Sequence, residues 1–133
     1  MIYVLMAIIL QRIKNLIKLF KNQKFFWMNI SQNKSSDGNP NHQDMRELEN
    51  LYNSRQFNSL ENRVKQLLKK YPKNINLHNI LGIALKDQWK LVDSIKIFEK
   101  TIKIQPNFYI AYHNMGNVLK DLCRLDEAKT CYQ

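Results

Sequence analysis

Apolar positions along this chain change their spacing twice, and the changes divide it into three stretches. Residues 2–10 are apolar without interruption, and from Ile9 the pattern loosens to Ile9, Ile13, Leu16, Ile17 and Phe20, the spacing of one helix face. Residues 31–44, SQNKSSDGNPNHQD, are almost wholly polar and hold Gly38 and Pro40, a composition that buries too little surface to offset the entropy of ordering. They are expected to be a flexible linker. From Met45 onward the helical spacing returns and predicts helices over roughly 45–54, 58–70, 75–87, 91–104, 109–121 and 125 to the end. Each is short enough to be marginal alone, so their stability must come from packing on one another.

The third stretch repeats itself. Moved by 34 residues, Leu81-Gly82-Ile83-Ala84-Leu85-Lys86-Asp87 falls on Met115-Gly116-Asn117-Val118-Leu119-Lys120-Asp121. The same shift carries Pro72 onto Pro106, His78 onto Tyr112, Leu91 onto Leu125, Ser94 onto Ala128 and Phe98 onto Tyr132. Leu77, Leu81 and Leu85 form one buried stripe and Ile95, Phe98 and Ile102 another, so the two helices are expected to close into a hairpin. Pro106 has no N–H to donate and restricts Gln105 before it, which ends the second helix and turns the chain into the next pair.

Helix pairs at this period, with a large residue, Leu and Gly on the first helix and a small residue, an aromatic and Pro on the second, resemble the tetratricopeptide repeat. The residues that carry the resemblance are Leu81, Gly82, Phe98 and Pro106 in one unit and Tyr112, Gly116, Ala128 and Tyr132 in the next. It implies an all-α fold, a right-handed superhelical stack of antiparallel helix pairs. Its units are 45–74, degenerate or capping, with Leu48 and Leu60 at the small-residue places; 75–108; and 109–133, truncated. Because the last helix stops at Gln133 without a polar cap, the chain is expected to be the N-terminal part of a longer protein.

The resemblance also implies a function, the holding of a partner protein or peptide on the concave face made by the first helices. By matching places that face includes Asn79, Ile83, Lys86, His113, Asn114, Asn117 and Lys120, with Asn76 and Ile110 beside them. Asparagine offers a donor and an acceptor to a peptide backbone, and the lysines favour an acidic ligand. Asn114 matches the ladder position of O-linked N-acetylglucosamine transferase repeats, while Ile80 stands there in the preceding unit. A degenerate first unit before regular repeats is also similar to those heading bacterial glycosyltransferases and sulfotransferases, so a second reading makes these repeats the N-terminal region of such an enzyme, with its catalytic domain outside this sequence.

Charge and candidate chemistry add less. Six of the 21 Lys and Arg residues (Arg12, Lys14, Lys18, Lys21, Lys24 and Lys34) lie in residues 1–34, which contain no acid; the remainder holds 15 bases and 11 acids, an ordinary mixed surface. Nucleic-acid binding is not expected, as no stacking platform accompanies the charge. Residues 1–30 read instead as an apolar, basic amphipathic segment, continuing toward Phe25, Phe26 and Trp27. The apolar run is too short to span a bilayer and lacks the order of a secretory signal. It is read as a helix lying on an anionic membrane through residues 1–27, which would make a membrane-tethered adaptor, as a helix packing on the first repeat, or as upstream sequence preceding a true start at Met28 or Met45.

Cys123 and Cys131 form no CxxC pair and are expected to be packing residues. His42, His78 and His113 have no carboxylate or nucleophile at a useful spacing, so neither catalysis, a cofactor nor a metal is expected. A cytoplasmic location is expected.

Overall fold

The structure, a computed structural model, describes residues 2–14, 17 and 38–133. The expected linker residues 31–37 and the continuation of the first helix through Phe20 to Trp27 lie outside the described residues. The chain divides into two compact units, residues 1–34 and 35–133. In the first, residues 2–14 form helix α1, and every described side chain is exposed.

The second unit consists of α2 (His42–Asn53), α3 (Phe57–Lys70), α4 (Ile75–Asp87), α5 (Leu91–Ile104), α6 (Tyr109–Asp121) and α7 (Leu125–Tyr132). The described residues are all-helical, with no strand among them. Each helix packs on the next in sequence, and α4 also touches α6. With α3, α5 and α6 all against it, α4 is the centre of the unit, and it buries Leu77, Ile80, Leu81, Ala84 and Leu85 around most of its circumference. Ile95, Phe98, Ala111, Val118, Leu119 and Ala128 extend the core through α5, α6 and α7.

Five of the six helices begin within one residue of the expected positions; α2 begins three residues early. The cause is local chemistry at its start. Asn41 is an N-cap whose side-chain oxygen accepts the Asp44 N–H at 2.8 Å, so His42, Gln43 and Asp44 join the helix although none is apolar. Pro40 just ahead is buried, and the Asn74 amide donates to Asn39 Oδ1 at 2.8 Å. The other end of the same Asn74 side chain accepts the Leu77 N–H at 3.0 Å and caps α4. Residues 38–44 are thus built into the helical unit, which corrects the expected linker boundary.

The 34-residue period seen in sequence reappears in the packing. A Cβ placed on Gly82 would lie 2.5 Å from Phe98 Cε1, and one on Gly116 would lie 2.7 Å from Tyr132 Cε1. In both pairs an aromatic ring rests directly on backbone that lacks a side chain. Ser94 adds a buried hydrogen bond of 2.7 Å to the Gly82 carbonyl. In the first pair, Leu48 and Leu60 occupy the corresponding small-residue places and both are fully buried.

The turns inside the three pairs follow the same period. Arg55, Trp89 and Cys123 have φ of 57°, 61° and 59°, the left-handed conformation. In each turn the N–H of that residue bonds a carbonyl three back (Tyr52, Lys86, Lys120), and the next N–H bonds one five back (Leu51, Leu85, Leu119). This is the Schellman helix ending, in which glycine is usual because it has no Cβ to clash. Three larger residues occupy it here. Cys123, expected to be a packing residue, is therefore exposed at a turn, while Cys131 does pack, half-buried against the α5, α6 and α7 cluster.

Two stability predictions follow from these contacts. Gly82→Ala drives a methyl into the Phe98 ring, and urea unfolding of the variant is expected to show a loss of about 1–3 kcal/mol. Trp89 is 76% exposed, so Trp89→Gly removes little packing. It relieves roughly 1–2 kcal/mol of left-handed strain against about 0.4–1 kcal/mol of added unfolded-state freedom. A higher unfolding free energy in urea, by about 0.5–1 kcal/mol, is expected; a lower one would show that the Trp89 ring contributes packing.

Candidate functional site

The first helices of the three pairs are α2, α4 and α6, and their C-terminal turns carry Tyr52, then Lys86 and Asp87, then Lys120 and Asp121, at matching places 34 residues apart. The contact between α4 and α6 brings the last two of these turns into one neighbourhood. Asp87 records it. Burial pushes its carboxyl pKa up, the Lys86 ammonium, the Tyr52 hydroxyl donating to it and Arg55 pull it down, and the Asp121 carboxylate pushes it up again. Four polar side chains from three helices and a turn thus act on one half-buried acid. Among the described residues neither Lys86 nor Lys120 forms an ion pair.

The other residues expected on this face separate into two groups. Asn79 is fully buried, with 0% exposure, and its Oδ1 accepts the Asn114 amide at 2.9 Å. It therefore joins two repeats from within, and the expectation that it presents itself to a ligand is corrected: α6 lies against α4 at this level and covers it. Its own Nδ2 is buried without a partner. Ile83 is half-buried and packs against the core cluster of α5, α6 and α7. Asn76 is half-buried and Ile110 exposed.

The second group turns to α7. The Tyr132 hydroxyl donates to Asn117 Oδ1 at 2.6 Å, and the His113 ring lies 5.6 Å from the Tyr132 ring, tilted by 55°. His113, Gly116 and Asn117 are spaced three and four apart, so they share the helix face on which that ring rests. Lys86, Lys120, Asp87, Asp121 and Tyr52 remain as a polar stripe at the C-terminal ends of α2, α4 and α6. The sequence pattern pointed to the lysines. It did not single out the two aspartates or Tyr52 as members of the stripe, although the 34-residue spacing of Asp87 and Asp121 was the available signal.

Histidine chemistry resolves separately. His42 is exposed at the start of α2. His78 is buried with Nε2 at 2.8 Å from the Pro72 carbonyl, which can only accept, so Nε2 carries the proton and Nδ1 is a buried lone pair without a partner. Burial lowers its pKa, and the Pro72 carbonyl opposes that shift while Lys100 reinforces it. Among the described residues no three His, Cys, Asp or Glu side chains are grouped to hold a metal ion.

One ionic cluster ties the first pair to the second. Glu61 of α3 is buried and accepts from Gln88 at 2.9 Å, from Lys90 at 2.9 Å and from Lys65. Burial alone would raise its pKa, but the hydrogen bonds from Lys65, Lys90 and Gln88 outweigh it and hold the carboxyl at about 2. Gln88 also donates to the Phe57 carbonyl at 3.3 Å, so this cluster sets where the α4 turn sits against α3.

No protein-family model matches the chain, and no curated protein is found as a relative.

Two outcomes are expected from these arrangements. A Glu61 carboxyl held at about 2 against 4.5 when unfolded contributes stability that is complete above 4.5 and lost as pH falls toward 2. Asp87, with its raised pKa, contributes in the opposite sense, stabilising the fold at low pH and less as pH rises through that value. Glu61→Gln should flatten the acid limb of a stability-versus-pH profile and Asp87→Asn should steepen it; the reverse pattern would show that the assignments are exchanged. Asn114→Ala strands Asn79 Oδ1 in the interior and is expected to destabilise by about 1–3 kcal/mol, with a much smaller effect in an Asn79→Ala background.

Proposed function

We propose that this chain is a protein-binding module of the tetratricopeptide type, in which the hairpins stack as a right-handed solenoid and the polar stripe on α2, α4 and α6 holds an extended acidic segment of a partner in the cytoplasm. The observation that carries the reading is the pair Lys86 and Lys120. They stand at matching places on two touching helices, and among the described residues neither has an ion-pair partner. Long cationic side chains outside any close ion pair and repeated every 34 residues favour a ligand with acids at a regular interval.

The neighbours of the lysines suit that ligand. Asp87 is engaged by Lys86, Tyr52 and Arg55 and offers an acceptor for a backbone N–H, while Lys86, Lys120 and Arg55 outnumber Asp87 and Asp121 at these turns. Asn79, Asn114, His113 and Asn117 support the stripe from behind by fixing α6 against α4 and α7. On this reading the module has no chemistry of its own, and the face acts by position and charge alone.

Fluorescence anisotropy with labelled acidic peptides of varied spacing tests the proposal. Lys86→Glu with Lys120→Glu is expected to weaken the best binder by about tenfold or more, at about 1.4 kcal/mol per tenfold, with unchanged helicity by circular dichroism. Binding should also weaken as salt rises. Equal affinity of the double variant and the parent chain would overturn the assignment of this face.

A further inference from the structure

We infer that α1 is an interfacial membrane anchor, which enters one leaflet of a bilayer containing anionic lipids and leaves the helical unit at its surface. The inference concerns a separate unit of the chain and does not rest on the groove proposed above. Ile2, Tyr3, Val4, Leu5, Met6, Ile8, Ile9 and Leu10 are all more than half exposed. They point in every direction around the helix, because with Ala7 they make nine apolar residues in nine consecutive positions and leave no polar face. A groove on a partner protein covers one side of a helix, so such a groove would leave half of this surface in water. Acyl chains surround it.

Length and charge decide how deep it goes. At about 1.5 Å per residue, residues 2–14 rise roughly 20 Å and the apolar run roughly 14 Å, against about 30 Å for a hydrocarbon core. Among the described residues no helix is long and apolar enough to cross a membrane. The run is too short to cross and lies along the interface, which keeps the unpaired N–H groups of its first turn at the headgroups, with Arg12 and Lys14 following it at once. Six bases and no acid in residues 1–34 make the whole segment complementary to a negative surface. Each base near such a surface strengthens binding by about fivefold. Nucleic acid would use the bases and gain nothing from the apolar turns.

Flotation of the full chain with vesicles tests the inference, using phosphatidylcholine alone and phosphatidylcholine mixed with phosphatidylserine. The parent chain is expected to float with the mixed vesicles and about tenfold or more less with the neutral ones. Arg12→Glu with Lys14→Glu should weaken binding to the mixed vesicles by about twentyfold or more, and Leu5→Glu with Ile9→Glu should remove it. Circular dichroism of each variant checks that residues 38–133 stay helical. With Trp89→Phe, Trp27 is the one tryptophan left, and its emission should shift to the blue on the mixed vesicles. Failure to float with either vesicle, or flotation of the Leu5 and Ile9 variant like the parent, would overturn the inference. So would retention on single-stranded RNA, or self-association through α1, in place of vesicle binding.

Discussion

An aromatic ring lying on bare backbone is the contact from which the helical unit is built. Phe98 on Gly82 and Tyr132 on Gly116 let the second helix of each pair approach the first more closely than any Cβ would allow. Close approach is what lets helices of 13 or 14 residues, too short to persist alone, bury enough apolar surface to hold together. Phe98 is completely buried, whereas Tyr132 is 45% exposed, so the same seat is sealed in one pair and open in the other. Between them, α6 is held from both sides, by α5 and by α7.

The turns show a second constraint that the repeat preserves while its residues change. Arg55, Trp89 and Cys123 have nothing in common chemically, yet all three adopt a left-handed backbone and the same pair of hydrogen bonds. The geometry is imposed by two helices that must reverse direction across three residues, and the side chain that happens to stand there accepts the strain. It is through these turns that the first pair belongs with the others. Leu48 and Leu60 replace its small residues, but its turn keeps the period and Glu61 bonds it to the Gln88–Lys90 turn of the second pair.

Polar groups divide between holding the stack and facing outward, and the division follows from helix geometry. On α6, positions 113, 116 and 117 meet α7, Asn114 meets α4, and Lys120 is left over. An asparagine is equally at home in a ligand site or between two helices, because its amide satisfies either partner. A lysine with no ion-pair partner among the described residues is less ambiguous, since burying its ammonium would be costly. That difference is why the proposed groove is carried by Lys86 and Lys120 and why Asn79 proved to be interior.

Much of the architecture was legible in the amino-acid order. Apolar spacing located six helices, five of them starting within a residue, and the 34-residue coincidences identified Gly82 with Gly116 and Phe98 with Tyr132 before any packing was known. These are local or periodic properties, set by 3.6 residues per turn and by the absence of a side chain on glycine. The early start of α2 was legible too, in Asn41 and Pro40, but its polar composition masked it. What only the tertiary structure decided is which neighbour each polar side chain meets. Asn79 with Asn114, Tyr132 with Asn117 and Tyr52 with Asp87 are contacts between residues 15 to 35 positions apart. Their partners depend on how one helix is rotated against another, and a few tens of degrees separates a buried amide from an exposed one. Rotation of that kind is fixed by the fit of all the core side chains together, and no short stretch of sequence contains it.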